Sequence, residues 1–193
     1  MCATPCGRST FTLKTGLSMI DGTRVRLRAY TKSYFAKFLE YLDFETIKLY
    51  RGELPLPPPL DYEAKWAAEE YKPNSQYDWA IETIDGAHYI GGCGYARIDW
   101  PSRVAEINIF IGKPWRTQGY GREAVGLLLD FMFKQMNLNK VFLKTWTFNP
   151  AAVRCYERCG FVHEGRLRQQ IFRDGDYHDQ IVMGLLRQEW LSA

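Results

Sequence analysis

Hydrophobic and polar residues alternate along several short segments of the chain. In Arg24–Arg28 the apolar residues stand at every second position, which is typical of a strand with one buried face. Residues 77–84, 88–98 and 104–111 extend this β-rich pattern, and Asp85-Gly86 favours a hairpin because both residues tolerate positive φ. The pattern predicts a run of strands whose neighbours are mostly antiparallel.

Other segments repeat apolar residues at the three- and four-residue spacing of helices. Thr31 can cap a helix that runs to about Leu42, with an apolar stripe facing the core. Asp61 begins a second helix through about Tyr71, after a stiff connector at 54–60 whose consecutive prolines lack N–H donors. Further helices follow residues 119 and 149, and the remaining strands are predicted at 140–147, 161–172 and 178–186.

The resulting order, β-αα-βββ-α-β-α-ββ, predicts an α/β (α+β) fold. With 193 residues, 46% of them hydrophobic, the chain is the right size for one domain with one core. Residues 1–18 are rich in small and polar side chains, so we expect a flexible N-terminal tail before a single domain at 19–193. Three glycines within residues 91–94 predict a bulge or a close backbone approach, either of which could mark a ligand surface.

Charge and cysteine usage narrow the function classes. The net charge is +3, and no run of five or six Lys or Arg indicates a nucleic-acid surface. No apolar stretch reaches the 18 or so residues that span a bilayer, and no signal peptide is evident. The five cysteines fit neither a disulfide nor a zinc pattern, and helix packing explains Cys155 and Cys159. We expect a cytoplasmic protein without metal, and the sequence leaves the oligomeric state open.

A glycine-containing loop between a strand and a helix carries the clearest chemistry. Gly119 and Gly121 let the backbone approach a ligand closely where the helix begins. The free N–H groups and the positive end of the helix dipole form an anion site, beside which Arg116 and Arg122 add charge. The loop therefore predicts a phosphate site.

A dinucleotide enzyme is one interpretation of this loop, because residues 119–124 satisfy G-x-G-x-x-A. That fold needs an acidic residue on the ribose about 20 residues later, at the end of the next strand. The next strand ends Trp146-Thr147-Phe148-Asn149 without a carboxylate, so the pattern is incomplete.

Two motifs resemble the GCN5-related N-acetyltransferase (GNAT) superfamily. Residues 116–121 match its pyrophosphate signature Q/R-x-x-G-x-G/A, and residues 149–161 match N-x-x-[SA]-x-x-x-Y-x-x-x-G-F. Residues 164–190 are similar to the branch that contains the ribosomal-protein N-terminal acetyltransferases. The resemblance covers about Gly22 to Trp190.

The resemblance implies a mixed, mostly antiparallel twisted sheet of six to seven strands, flanked by about four helices. It further implies that the strands at 104–111 and 140–147 splay apart to hold the acetyl-CoA co-substrate. The backbone N–H groups of residues 117–122 would bind the pyrophosphate, and the strand end would pair with pantetheine. The implied cofactor contacts are Ile109, Phe110, Ile111, Arg116, Thr117, Gln118, Gly119, Tyr120, Gly121, Arg122 and Asn149. Asn149 can serve equally as a helix N-cap.

Family roles also imply the catalytic residues. Tyr156, with an ordinary pKa near 10 against about 8.5 for a thiol, would protonate the leaving sulfur. Backbone N–H groups near Ile109 would polarise the carbonyl. Glu106 shares a strand face with Asn108 and resembles the glutamate that deprotonates the amine through water, although it could equally be a solvated strand residue.

The acceptor amine is predicted from the cost of deprotonation. Neutralising a lysine-like amine at pH 7 costs about 4.6 kcal/mol, against about 1.2 kcal/mol for an α-amine. We therefore expect a protein N-terminal α-amine, with a polyamine or aminoglycoside as the alternative, since acidic residues in the helical region could attract cations. Those residues are Asp43, Glu45, Glu53, Asp61 and Glu63. A non-catalytic acyl-CoA sensor and a nucleotide-dependent oxidoreductase are the alternatives of other classes.

Overall fold

One sheet organises the molecule. The computed structural model describes residues 10–14, 17–50 and 76–192, and nine strands of this part form a single sheet. The strands are β1 (Thr10–Lys14), β2 (Leu17–Asp21), β3 (Val25–Arg28), β4 (Tyr77–Thr83), β5 (Tyr89–Asp99), β6 (Val104–Ile111), β7 (Lys140–Trp146), β8 (Val162–Arg173) and β9 (Asp176–Leu186). Their spatial order is β1-β2-β3-β4-β5-β6-β7-β9-β8, and all the pairings of these strands are antiparallel except β6 with β7.

Helices cover both faces of this sheet. They are α1 (Lys32–Tyr41), α2 (Phe44–Tyr50), α3 (Tyr120–Lys134), α4 (Pro150–Arg158) and α5 (Arg187–Ser192), with a 3-10 turn at Lys113–Trp115. Ile81 packs in the main core with α3, whereas its neighbour Ala80 packs with Tyr41 of α1. Since successive strand residues face opposite sides, α3 and α1 lie on opposite faces. None of the described helices has both the length and the apolar composition that a bilayer crossing needs.

The predicted mixed, mostly antiparallel α/β architecture is confirmed, but the strand count of six to seven is too low. β1 pairs with β2, and β2 pairs with β3, where we expected a flexible tail up to residue 18. Alternation in Thr10-Phe11-Thr12-Leu13 is the signal that would have found it. Residues 1–9 lie outside the described part, and the single domain over 19–193 stays a prediction.

The helices before β4 differ from the predicted pair. α1 follows Thr31 as expected, but the sequence did not predict α2. Asp43 caps α2 by accepting the Thr46 N–H at 2.7 Å, so an aspartate followed three residues later by threonine was the missed start signal. The predicted helix at 61–71 and the connector at 54–60 lie outside the described residues.

Two features of the central strands set up the site. β6 and β7 share three residue pairs, from Val104 opposite Lys140 to Glu106 opposite Phe142, and their pairing ends there. The predicted splayed pair is therefore confirmed. The glycines of β5 mark a close approach, since a Cβ on Gly91 would overlap the carbonyl oxygen of Phe110.

Candidate active site

A cleft of about 880 Å³ opens where β6 and β7 separate. Its walls come from α2, β6, the loop after β6, the start of α3, β7 and α4. The predicted site residues that line it are Glu106, Ile109, Ile111, Arg116, Thr117, Gly119, Gly121, Arg122, Asn149 and Tyr156. Residues predicted from two separate motifs thus meet in one cavity.

The backbone N–H and carbonyl groups of β6 point alternately toward β5 and into the gap between β6 and β7. Gly112 donates its N–H to Ile90 of β5 at 2.9 Å, so alternate residues of β6 direct their backbone groups toward β5. The groups of Ile107, Ile109 and Ile111 then point the other way, into the gap. Ile109 therefore offers a backbone N–H and a carbonyl to a ligand lying along this edge, as a missing strand would.

Side chains of β6 also divide between two faces. Phe110 packs against the aromatic rings of Phe38 and Tyr50, on the side covered by α1 and α2. Ile109 and Ile111 face Gly121 at the start of α3. Glu106 shares the face of Phe110 by alternation, so it lies on the side opposite the phosphate loop. A donor and an acceptor can therefore enter from different sides.

The loop after β6 ends in two residues with left-handed backbones. Thr117 has φ 61° and Gly119, the N-cap of α3, has φ 88°. The first backbone bond of α3 runs from Glu123 to Gly119, at 3.2 Å. The N–H groups of residues 120–122 therefore have no acceptor within the helix and can bind an anion.

Internal hydrogen bonds hold this loop in shape. Trp115 donates its indole N–H to the Tyr41 hydroxyl at 3.0 Å. The Arg116 guanidinium donates to the carbonyl of Ile111 at 2.9 Å and to Thr46 Oγ1 at 2.7 Å. We expected Arg116 to add positive charge beside a phosphate, and that contact stays a prediction. The two hydrogen bonds also make Arg116 a brace between the loop and α2. They also occupy the Ile111 carbonyl, which leaves Ile109 as the better partner for pantetheine.

Three predicted residues keep their side chains out of the cleft lining: Phe110, Gln118 and Tyr120. The Gln118 side chain donates to the Pro114 carbonyl at 2.8 Å, which tightens the loop. The loop prediction requires only backbone contacts from Gln118 and Tyr120.

Two residues that the sequence did not single out fasten the loop from behind. Oε1 of Glu123 accepts the backbone N–H groups of Thr23 and Arg24, at 2.6 and 2.7 Å. Arg24 in turn donates to the Gln118 carbonyl at 2.9 Å, and its guanidinium carbon lies 4.2 Å from the centre of the Tyr120 ring. A glutamate in the first turn of a helix was the available signal, but its partners are about 100 residues away in the chain.

Tyr156 is buried at the inner end of the cleft. Its ring packs edge-on against Phe161, with centroids 5.8 Å apart. Burial raises the pKa of its phenol, and the nearby Tyr50 hydroxyl acts in the same direction. The protonated form is therefore favoured, as a general acid requires. Tyr50, which sequence reasoning missed, also lies 3.4 Å from both backbone groups of Ile111.

Glu106 is an ion-paired carboxylate at the other wall. Its oxygens lie 3.2 Å from Arg97 and 3.6 Å from Lys144, and its side chain is 18% exposed. Because solvent reaches it, a water molecule can lie between this carboxylate and an amine. The role of Glu106 as the base stays a prediction.

Asn149 caps α4, since its side-chain oxygen accepts the Ala152 N–H at 3.2 Å. The predicted capping role is confirmed. The bond uses only the oxygen of the amide, so the NH₂ group can still donate to a carbonyl in the cleft. Both predicted roles are compatible, and the contact with pantetheine stays a prediction.

Comparison of the chain with known protein families identifies its family. Residues 24–162 match the family model described as an acetyltransferase (GNAT) domain. The chain belongs to the GNAT acetyltransferase family. Its members use acetyl-CoA, and the predicted superfamily is confirmed. The dinucleotide oxidoreductase interpretation is wrong.

Several GNAT relatives and structures are similar to the chain. A spermidine N(1)-acetyltransferase of Vibrio cholerae serotype O1 is 36% identical over 119 residues, covering 62% of this chain and 68% of that protein. The crystal structure of spermidine N-acetyltransferase from Vibrio cholerae in complex with CoA and spermine matches with a TM-score of 0.78 and 28% identity, covering 87% of this chain and 98% of that one. YdaF of Bacillus subtilis, provisionally assigned as a ribosomal N-acetyltransferase, is 29% identical over 134 residues, covering 64% of this chain and 73% of that protein.

The charge of the cleft suits the GNAT co-substrate. Among the described residues that line it, six side chains are Lys or Arg and one is acidic. Arg122, Arg154 and Arg158 belong to α3 and α4, around the N–H groups at the start of α3. A positive cleft of this kind attracts the phosphates of acetyl-CoA over several ångströms. Within the described residues, no three His, Cys, Asp or Glu side chains form a metal-binding group.

Proposed function

We propose that this protein acetylates a primary amine of a polyamine, with acetyl-CoA as donor. The observation that carries the reaction is the meeting of Tyr156, Glu106 and the free backbone edge of β6 in one cleft. Support for the acceptor comes from the likeness to a structure holding CoA and spermine, which covers 98% of that chain.

The chain's own groups supply each step of the transfer. The N–H groups of residues 117–122 hold the pyrophosphate, and the N–H of Ile109 lies where it can polarise the thioester carbonyl. Such a donor is often worth about 3 kcal/mol in the transition state. Glu106 removes the amine proton through water, and Tyr156 donates its proton to the leaving sulfur. In this scheme the amine attacks the thioester carbonyl directly, the carbon–sulfur bond breaks, and no covalent acyl-enzyme forms.

A protein N-terminal α-amine is the second candidate acceptor. Arg97 and Lys144 contact Glu106, and their positive charges disfavour an acceptor that carries several charges of its own. Of the acidic residues expected to attract a polycation, Asp43 lies 3.6 Å from Lys113 and Glu45 lies 3.1 Å from Lys48. The other three lie outside the described residues. The likeness to YdaF agrees with this second acceptor.

The deciding experiment measures release of free CoA thiol from acetyl-CoA with a panel of amines at matched concentration. Spermidine, spermine, an aminoglycoside and peptides with free N-termini form the panel, and mass spectrometry identifies the acetylated product. We expect the highest kcat/KM with spermidine or spermine. A preference for peptides would replace the polyamine proposal by the second candidate. Binding of acetyl-CoA without transfer to any amine would indicate the sensor module instead.

The cytoplasmic location stays a prediction.

A further inference from the structure

Two cysteines, Cys155 of α4 and Cys159 at its C-cap, lie near the start of α3. Cys155 lines the cleft and is half-buried, whereas Cys159, one turn later, is buried. A Cβ placed on Gly121 would lie 3.9 Å from the Cys155 sulfur. The Cys159 sulfur lies 3.8 Å from the backbone oxygen of Arg122. Both sulfurs therefore lie beside the first turn of α3, whose N–H groups are the predicted phosphate site.

The surroundings of Cys155 favour its thiolate. The neighbouring Cys159 and the charges of Arg122 and Arg158 lower the pKa of the Cys155 thiol, although burial opposes them. The positive end of the α3 dipole acts in the same sense. Reactive cysteines are found in partly exposed, electropositive environments of this kind. Helix packing, the role expected from the sequence, explains Cys159 but not the position of Cys155 in the cleft.

We propose that Cys155 is a thiol-modification site for small electrophiles and peroxides, and that its modification closes the cleft to acetyl-CoA. A group attached to this sulfur would fill the space between α4 and Gly121, where the pyrophosphate must approach the backbone. Bound CoA would in turn cover the thiol. The proposal rests on acetyl-CoA as co-substrate and is independent of the acceptor.

The chemistry is complete with one added reagent. With iodoacetamide, the thiolate displaces iodide and a carbon–sulfur bond forms. With hydrogen peroxide, the thiolate attacks one oxygen and the O–O bond breaks, which gives a sulfenic acid and hydroxide. Sulfur is oxidised and the peroxide is reduced.

The test is competitive labelling in a Cys2→Ser/Cys6→Ser background, which retains Cys93, Cys155 and Cys159. The protein is treated with iodoacetamide, with and without saturating CoA, and peptide mass spectrometry follows each cysteine. We expect Cys155 to react first and CoA to slow its labelling about tenfold, while Cys93, which is fully buried, serves as the internal unreactive control. Circular dichroism checks that the labelled protein stays folded.

Calorimetric titration of the labelled protein then measures acetyl-CoA binding. We expect affinity to fall at least about tenfold, as it does when a bulky group fills a binding site. A Cys155→Ser variant should keep its own affinity after the same treatment. Labelling at Cys155 that CoA does not slow, or unchanged affinity of the labelled protein, would overturn the proposal.

Discussion

Tyr156 has a buried phenol in the cleft lining, and its substitution is expected to affect kcat more clearly than that of any other residue discussed. Burial keeps its proton in place, so the proton is available to the thiolate that leaves. Replacement by Phe retains the ring that packs on Phe161 and removes only the hydroxyl. We predict that Tyr156→Phe lowers kcat about a hundredfold, a usual size for a general acid, and leaves the acetyl-CoA dissociation constant unchanged.

Thiol-release kinetics and calorimetric titration measure these two quantities. Tyr177→Phe is the matched control, because Tyr177 is exposed on β9 and packs on Phe172 outside the cleft. Its kcat should equal that of the unmodified protein. If Tyr156→Phe turned over at the normal rate, Tyr156 would be an aromatic core residue and nothing more.

Substitution of Glu106 tests whether this residue is the general base. At pH 7 a lysine-like amine needs about 4.6 kcal/mol to become neutral, and the neutral fraction rises tenfold with each pH unit. We predict that Glu106→Gln lowers kcat/KM for spermidine about a hundredfold at pH 7, and that the deficit shrinks as the pH approaches the pKa of the amine. A pH series of kcat/KM from 7 to 9 measures it.

Glu164→Gln is the control for this substitution, since Glu164 pairs with Lys140 at 2.7 Å outside the cleft. It removes the same charge from another ion pair. A deficit of Glu106→Gln that stayed constant over the pH series would mean that Glu106 orders the cleft and takes no proton.

At the scale of elements, the turn from β6 into α3 depends on one backbone conformation. Gly119 has φ 88°, and an added Cβ would lie 3.5 Å from Arg24, an ordinary contact. The cost of a side chain there is therefore conformational, about 1–2 kcal/mol for a left-handed residue. We predict that Gly119→Ala lowers the free energy of unfolding by this amount and weakens acetyl-CoA binding, because the N–H groups of α3 shift.

Thr117→Gly provides the opposite substitution in the same loop. Thr117 has φ 61°, which is unfavourable for a β-branched residue, so glycine relieves strain there. Denaturant unfolding should show unchanged or higher stability for this variant. If Gly119→Ala and Thr117→Gly changed stability alike, the loop would not depend on the left-handed backbone at residue 119.

The sequence predicted the elements that depend on local signals. The α3 turn at Gly119, the cap at Asn149 and the strand β6 all follow from residues close in the chain. α2 was missed because its start signal is a single short capping residue, Asp43. The clamp of Glu123 on the turn before β3 joins residues about 100 positions apart, and no local pattern encodes it.

For the candidate site as well, local motifs were predicted correctly, and contacts between residues distant in the chain were not. The two motifs brought Tyr156 and the N–H groups of the loop together correctly, since each motif is local and the fold juxtaposes them. The hydrogen bonds of Arg116 were not predicted, because its partners Ile111 and Thr46 become neighbours only after α2 packs on the loop. Tyr50 was missed for the same reason.

For the whole molecule, the positive charge of the cleft favours binding of acetyl-CoA and opposes binding of a cationic amine. Among the described residues, six cationic side chains line the cleft and attract the phosphates of acetyl-CoA, but two of them, Arg97 and Lys144, contact Glu106, where the proposed mechanism brings the amine. A polyamine brings several positive charges, whereas a peptide N-terminus brings one. These charges therefore oppose binding of a polyamine more than binding of a peptide N-terminus. At 0.1 M ionic strength, salt largely screens the repulsion at separations beyond about 10 Å.

The substitution Arg97→Gln separates these effects. Removing one charge near the arriving amine should raise kcat/KM for spermidine about threefold, as expected for charges several ångströms apart in water, and should change the value for a neutral-tailed monoamine less. The ratio of the two values is the readout, because any change in Glu106 itself affects both acceptors alike. Arg103→Gln is the control, since Arg103 is also exposed, has φ 54° against 53° for Arg97, and does not line the cleft. An Arg97→Gln ratio equal to that of the control, at low and at high salt, would show that acceptor charge is not selected at this wall.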